Sequence, residues 1–163
     1  MCVELKMTEY INAVYVPHNS KKYVLGVYDA GGKYIEYTGR RTYGSHDYSY
    51  SDKTMEEDVS EYIDDTAIWF GYLRSHYGHC LIDEVSRLWW LIDNNSYNGE
   101  KILCDITTEQ LKSFYLNILS LLGVDERNIV FIKSITRVKK LLIPELSYIP
   151  GKYVTPYYFQ TFQ

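Results

Sequence analysis

Two of the four histidines, His76 and His79, lie in residues 76–92, close after a predicted buried strand and next to the carboxylates Asp83 and Glu84. His79 and Asp83 are four positions apart, so both lie on one face if the segment is helical. A carboxylate beside an imidazole orients the ring and raises its basicity, which proton abstraction requires. The spacing therefore makes His79 and Asp83 the candidate catalytic pair.

The same residues also have an ordinary structural interpretation. Asp83 and Glu84 would complement the positive end of a helix dipole, and Arg87 would pair with them on the helix surface. His76, His79 and Asp83 also suggest a metal site, but three groups on one helical turn are not a recognised zinc pattern, so none is expected. Spacing alone leaves catalysis and structure both open.

The start of this helix is a favourable place for an anion or a developing negative charge. In open parallel sheets, ligands bind beyond the carboxyl ends of the strands, where helix N-termini present free backbone N–H groups. His76 and His79 fall at such a position, and Gly78 would let the backbone approach a ligand closely.

The elements that position these residues alternate between strands and helices. An apolar stripe predicts the helix that contains His79, and a second helix is predicted from Thr107 to Leu122, with Gln110 completing a capping box and Gly123 just beyond its end. This order predicts an α/β fold, a Rossmann-like parallel sheet with crossover helices. Buried strands are predicted over residues 65–73, 101–106, 128–133 and 138–144.

The first sixty residues have the pattern of antiparallel strands. Residues 10–17 alternate apolar and polar side chains and predict a strand. Residues 23–29 and 33–39, joined through glycines, predict an amino-terminal β-hairpin. Residues 40–61 predict a long polar loop, in which the tyrosine-rich stretch 43–50 is a candidate binding edge.

Composition limits the classes of function. The 163 residues suffice for one domain with a sizeable core. The net charge is −4 and the 17 Lys and Arg are scattered, which disfavours nucleic acid, and the cluster Arg137–Lys139–Lys140 is interpreted as a solvated strand edge. No apolar run approaches the ~20 residues of a membrane span. We predict a single domain over 1–163, with a hairpin-and-loop subregion (10–61) and a Rossmann-like α/β region (62–163).

The string HYGHCLIDEVSRLWWL, residues 76–91, resembles the signature of family 61 glycosyltransferases of polysaccharide biosynthesis. An aromatic residue and a glycine precede a histidine, and then come an apolar pair, a carboxylate and an Arg-Leu-Trp sequence. Residues 121–123 (LLG), 141–145 (LLIPE) and 26–35 are similar to further family segments, and their order and spacing carry the match. The resemblance covers residues 10–163.

The resemblance implies one half of a two-domain GT-B type glycosyltransferase, in which two Rossmann-like domains face each other across a cleft. The amino-terminal half binds mainly the glycan acceptor, and the carboxyl-terminal half, which would lie beyond this chain, binds the nucleotide-sugar donor. Transfer is inverting, so the acceptor hydroxyl attacks the anomeric carbon opposite the leaving diphosphate. No metal or other cofactor is expected.

The resemblance also implies roles for individual residues. His79 would contact the acceptor or the donor phosphate, and Asp83 would act as the base or as the group that orients His79. The guanidinium of Arg74 suits a phosphate. The expected substrate-binding residues are Arg74, His76, Gly78 and Glu145, whereas Glu84 and Arg87 are expected to be structural.

Other functions stay open at this point. The chain could be a free-standing module that binds an acceptor or a protein partner without catalysis. A hydrolase with a His–Asp pair fits less well, because no Ser or Cys nucleophile motif accompanies it. Three cysteines without metal-ligand spacing predict free thiols in a reducing cytoplasm, or at the inner face of the membrane. An apolar face left by a missing partner domain would favour a homodimer.

Overall fold

The computed structural model describes residues 4–39, 55, 58–92 and 97–163. Six strands build the main sheet: β1 (Met7–Val16), β2 (Gly26–Tyr28), β3 (Glu61–Leu73), β4 (Lys101–Ile106), β5 (Ile129–Phe131) and β6 (Thr136–Pro144). Their order across the sheet is β2-β1-β6-β3-β4-β5. A separate two-stranded sheet pairs β7 (Tyr148–Ile149) with β8 (Tyr153–Val154).

The predicted parallel region is confirmed. β6, β3, β4 and β5 are mutually parallel neighbours, whereas β1 runs antiparallel to β2 and β6. The apolar side chains of β4 are buried, as expected for a parallel strand that is covered on both faces. The result is an α/β fold with a mostly parallel mixed sheet, compatible with a Rossmann-like arrangement.

The predicted helix after β3 is present but is not one regular α-helix. Residues 77–92, which we call the mixed helix, pass through α1 (Tyr77–His79), a π-helical turn (Cys80–Glu84), a 3-10 turn (Val85–Arg87) and α2 (Trp89–Ile92). Its apolar side chains, Val85, Leu88 and Trp90 among them, are buried in one core cluster with β3 and β4. The expectation of regular helical geometry is wrong because the wider π turn brings Asp83 and Glu84 together toward Arg74.

The second crossover helix, α3 (Glu109–Leu121), starts one residue later than the sequence suggests. Its N-cap is Thr108, whose side chain makes no capping hydrogen bond, so the capping box from Thr107 to Gln110 is wrong. Gly123 follows the helix with a φ of +83°, as a C-terminal glycine should. A last helix, α4 (Pro156–Gln160), follows Thr155 and begins with proline, whose fixed φ suits the first helical position.

The amino-terminal hairpin is confirmed only in part. β1 is the predicted first strand, and β2 pairs with it. The second arm of the hairpin is reduced to an isolated bridge between Tyr28 and Tyr34, after which residues 36–38 form a 3-10 turn. The reason is local: the Thr38 hydroxyl accepts a hydrogen bond from the Val27 N–H at 2.8 Å, in place of a strand carbonyl. Residues 43–50, the candidate binding edge, lie outside the described residues.

The basic cluster does not lie on a strand edge. It belongs to β6, which is flanked by β1 and β3. Lys139 pairs with Asp64 at 2.8 Å and Lys140 with Glu9 at 2.6 Å. Each of these two cations is therefore neutralised by a carboxylate on a neighbouring strand. In the described part of the chain, no helix is long and apolar enough to cross a membrane.

Candidate functional site

The carboxyl end of β3 carries a buried cluster of charges. Arg74 follows the last residue of this strand, and its guanidinium donates to the carboxylate of Asp83. Arg74 Nε also lies 3.4 Å from Glu84 Oε1. The Tyr115 hydroxyl donates to the Arg74 carbonyl at 2.9 Å, which ties α3 to the same point. The structure thus joins two residues that the sequence selected, Arg74 and Asp83.

Glu84 is the most deeply buried member of this cluster, with 2% of its surface exposed. Its Oε2 has no hydrogen-bond partner in the structure. Burial raises the pKa of Glu84 to about 8, although the nearby Arg74 acts in the opposite direction. Glu84 therefore keeps a proton over much of the neutral range, and the structural role expected for it from the sequence stays a prediction.

His79 adjoins the cluster on its outer side. Its Nδ1 lies 3.3 Å from Asp83 Oδ2, the same oxygen that Arg74 binds. Burial, together with the positive charges of Arg74 and His76, lowers the pKa of His79, and Asp83 only partly opposes this. The His76 ring packs edge-on against His79, with centroids 5.1 Å apart. His79 is consequently held as a neutral imidazole at pH 7.

Little space adjoins the buried charges. The crevice lined by Tyr72, Arg74, Asp83 and Glu84 has a volume of about 20 Å³, enough for a water molecule but not for a sugar ring. The local structure does not require a glycine at position 78. A Cβ added to Gly78 would meet only the His76 ring, at 3.5 Å. This side of the cluster is packed rather than open.

Glu145 and Arg87 are engaged in holding elements together. Glu145 accepts a hydrogen bond from the Lys6 N–H at 3.0 Å, and its carbonyl accepts one from the Trp89 indole at 2.8 Å. Arg87 is buried against the Trp69 ring and donates to the carbonyls of Pro144 and Tyr37, both at 2.7 Å. These bonds fix the mixed helix to the end of β6.

A second His–carboxylate pair, which sequence reasoning missed, lies beside this cluster. His18 follows β1, and its Nδ1 is 2.7 Å from Asp105 Oδ1 near the end of β4. The His18 backbone N–H donates to the other carboxylate oxygen at 2.5 Å. The Tyr72 ring packs against the imidazole, with centroids 5.4 Å apart. Tyr72 also lines the crevice at Arg74, so one side chain adjoins both sites.

The His18–Asp105 pair combines a buried acid with an accessible base. The Asp105 side chain is 2% exposed and the His18 side chain 30%. Burial raises the pKa of Asp105, and its hydrogen bonds from His18 counteract that effect. The carboxylate is thus stabilised by the imidazole that it orients, an arrangement typical of proton transfer.

An open cleft of about 460 Å³ lies next to His18, at the carboxyl ends of β4 and β5. This volume falls within the ~300–1,000 Å³ of small-molecule sites, and the position is the one where open α/β sheets bind ligands. The start of α3 forms one wall. The lining side chains are His18, Asn19, Asp105, Thr107, Thr108, Glu109, Lys112, Phe131 and Lys133, with Ile106 and Ile132.

One signal for this site was available in the sequence. Asp105 is a carboxylate within an apolar run that predicts a buried strand, and a buried charge needs a partner. The identity of that partner could not be inferred, because His18 lies 87 positions away and no local pattern links the two.

Comparison of the chain with protein-family models, with curated proteins and with solved structures gives no match. Among the described residues, no group of three or more His, Cys, Asp or Glu is arranged to hold a metal ion.

Proposed function

We propose that this chain forms the acceptor-side domain of an inverting glycosyltransferase, which transfers a sugar from a nucleotide-sugar to a glycan. The observation that carries the proposal is the shared location of two features at the carboxyl ends of the parallel strands. Residues of the family 61 resemblance, Arg74, His79 and Asp83, follow β3, and the 460 Å³ cleft opens beside β4. Tyr72 lies between them.

The chemistry of this edge supports an acceptor site. Inverting transfer needs a base near the attacking hydroxyl and cationic or N–H groups near the leaving diphosphate. The imidazoles of His18 and His79 are candidates for the base. Cationic or N–H groups for the diphosphate are available at His76, which is exposed beside His79, and at the ammonium groups of Lys112 and Lys133. On this proposal a second domain holds the nucleotide-sugar, and the enzyme works in the cytoplasm or at the inner face of the membrane.

The test is a transfer assay with the protein expressed from its complete gene. A panel of nucleotide-sugars is incubated with acceptor oligosaccharides, and release of nucleoside diphosphate is followed. We expect acceptor-dependent release that is lost in His79→Ala and retained in the control Lys139→Gln, an exposed residue of β6 that pairs with Asp64. Full turnover in His79→Ala would remove that residue from the site, and no acceptor-dependent release with any donor would overturn the proposal.

A second candidate function is partner binding without catalysis. It is favoured by the exposed aromatic side chains around α4, Phe159 and Phe162, which are 57% and 52% exposed. A second copy of the chain is the partner we propose for this surface. Sedimentation equilibrium of the wild type and of Phe159→Ser with Phe162→Ser tests it, since a wild type that stays monomeric at high concentration would contradict the homodimer.

A further inference from the structure

We infer that His18 is the general base of the transfer, that Asp105 positions it, and that the cleft beside it binds the acceptor saccharide. The inference rests on the proposed function and assigns within it the proton transfer, which the sequence had placed at Asp83 or His79. It stands on three observations: the geometry of the pair, the access to it, and the lining of the cleft.

The hydrogen bonds of the pair determine which ring nitrogen reacts. Asp105 accepts from His18 Nδ1 at 2.7 Å and from the His18 backbone N–H, so both carboxylate oxygens hold this residue in place. A proton on Nδ1 leaves the lone pair of the neutral imidazole on Nε2. The Tyr72 ring limits rotation of the imidazole. His18 Nε2 is therefore the basic atom, and the ring that carries it lines the cleft.

Access distinguishes His18 from the acids beside Arg74. The Asp83 carboxylate already contacts Arg74 and His79 through its Oδ2 atom. Glu84 is buried, and the adjoining crevice of about 20 Å³ admits no sugar. Only the cleft at His18 combines a base with room for a substrate among the sites described above.

The lining of the cleft fits a saccharide. Side chains of Thr107, Thr108 and Asn19 offer both donors and acceptors, which match the dense hydroxyl groups of a sugar. Glu109 adds a carboxylate acceptor, and Phe131 adds an apolar surface for a pyranose face. An apolar ligand would not need so many polar side chains in the lining of its cleft.

The acceptor hydroxyl gives its proton to His18 Nε2 while its oxygen forms a bond to the anomeric carbon of the donor sugar. The bond from that carbon to the diphosphate oxygen breaks, and the nucleoside diphosphate leaves with the electron pair. Asp105 stabilises the imidazolium that forms, and His18 later returns the proton to water.

The decisive variant is His18→Ala, assayed in the protein expressed from its complete gene. We expect kcat to fall about 100-fold or more while KM for the acceptor changes little, because a base contributes mainly to the transition state. Added imidazole should restore part of the rate, since the emptied position opens onto the cleft. A merely structural His18 would not respond to imidazole. Normal kcat in His18→Ala overturns the inference.

The pH profile gives a second readout. The activity of imidazole-rescued His18→Ala should follow the titration of the added imidazole and so differ in pH dependence from the wild type. Asp105→Asn should reduce kcat and displace the wild-type profile, and an unchanged profile in a folded Asp105→Asn protein counts against the positioning role. The titratable groups that face His18 are Asp105 from β4, Tyr72 from β3, Glu109 and Lys112 from α3, and Lys133.

The site and the function can fail separately. If wild-type protein transfers sugar and His18→Ala transfers equally well, the assignment of the base fails while the proposed function stands. If no donor supports transfer, both fail. Nuclear magnetic resonance of the 163-residue chain with an acceptor oligosaccharide checks the cleft itself. Shifts should appear at His18, Thr108 and Asn19, and shifts confined to other surfaces would place the acceptor elsewhere.

Discussion

Arg74 and Asp83 form an ion pair that joins the carboxyl end of β3 to the π turn of the mixed helix. Both side chains are largely buried. The Asp83 Oδ2 atom that Arg74 binds also lies 3.3 Å from His79 Nδ1. The pair therefore decides two things at once: how the helix is anchored, and how much positive charge His79 experiences. Anchoring and electrostatics can be separated by substitution.

Replacing Arg74 should destabilise the fold strongly. Arg74→Met leaves the Asp83 carboxylate in a largely buried position without its cation, and breaking a buried pair costs about 3–5 kcal/mol. Urea unfolding followed by circular dichroism measures the loss. Arg127→Met is the matched control, because its pair with Asp125 is on the surface and its side chain is 87% exposed. Equal losses in the two variants would contradict a special role for Arg74.

Glu84 should make stability depend on pH in a direction unusual for a carboxylate. Its pKa is about 8 in the folded protein and near the ordinary 4.5 when unfolded, so the folded state binds the extra proton. The stabilising contribution is present below about 4.5 and is lost as the pH rises through 8. Glu84→Gln removes this loss, so its Tm relative to wild type should increase between pH 5 and pH 9.

The comparison is made by thermal unfolding of Glu84→Gln and wild type at matched pH values. At pH 5 the two proteins should be nearly equal, because Glu84 is then protonated in the fold and resembles the amide. A difference that stays constant with pH would show that glutamine acts through packing alone.

Sequence patterns predicted the parallel part of the fold well because its signals are local. The run KILCDI is apolar apart from Lys101 and Asp105 and became β4 with the expected bounds, and β6 ends at Pro144 as proline at that point indicates. The mixed helix was predicted as regular because its apolar spacing fits an α-helix. In its π turn Asp83 and Glu84 both contact Arg74, and no periodicity reveals these contacts.

The site was accessible to sequence reasoning only where its members are neighbours. His79 and Asp83 are four apart, and their contact follows from helix geometry. His18 and Asp105 belong to parts of the chain that are not paired in the sheet, because β6 and β3 lie between β1 and β4, so no pairing pattern in the sequence links them. The second arm of the predicted hairpin is mostly lost because the Val27 N–H donates to the Thr38 hydroxyl and not to a strand carbonyl.

Alanine substitutions at Gly26 and Gly123 test how closely Thr38 and Tyr34 pack against the backbone at Gly26. Both have positive φ, +136° and +83°, but a Cβ at Gly26 would lie 2.9 Å from Thr38 Oγ1 and the Tyr34 ring, whereas at Gly123 nothing lies within 4 Å. Gly123→Ala should cost about 1–2 kcal/mol from backbone strain alone. Gly26→Ala should cost more, as it also displaces Thr38 from Val27.

Unfolding in urea measures both variants under the same conditions. The order of the two losses is the informative result, because both share the strain and only Gly26 has close neighbours. If Gly123→Ala were the less stable protein, contact with Thr38 and Tyr34 would not limit this position.

The titration of His79 tests whether it can serve the proposed reaction as a base or only as a neutral donor. Burial and Arg74 lower the pKa of His79, whereas its contact with Asp83 raises it. Asp83→Asn should therefore lower the pKa of His79 further. Proton-detected nuclear magnetic resonance of the imidazole over the acid range measures the change. A rise in this pKa would mean that Arg74, released from Asp83, has turned away from His79. A fall would leave His79 neutral across the physiological range, suited to hydrogen bonding to a substrate oxygen while His18 takes the proton.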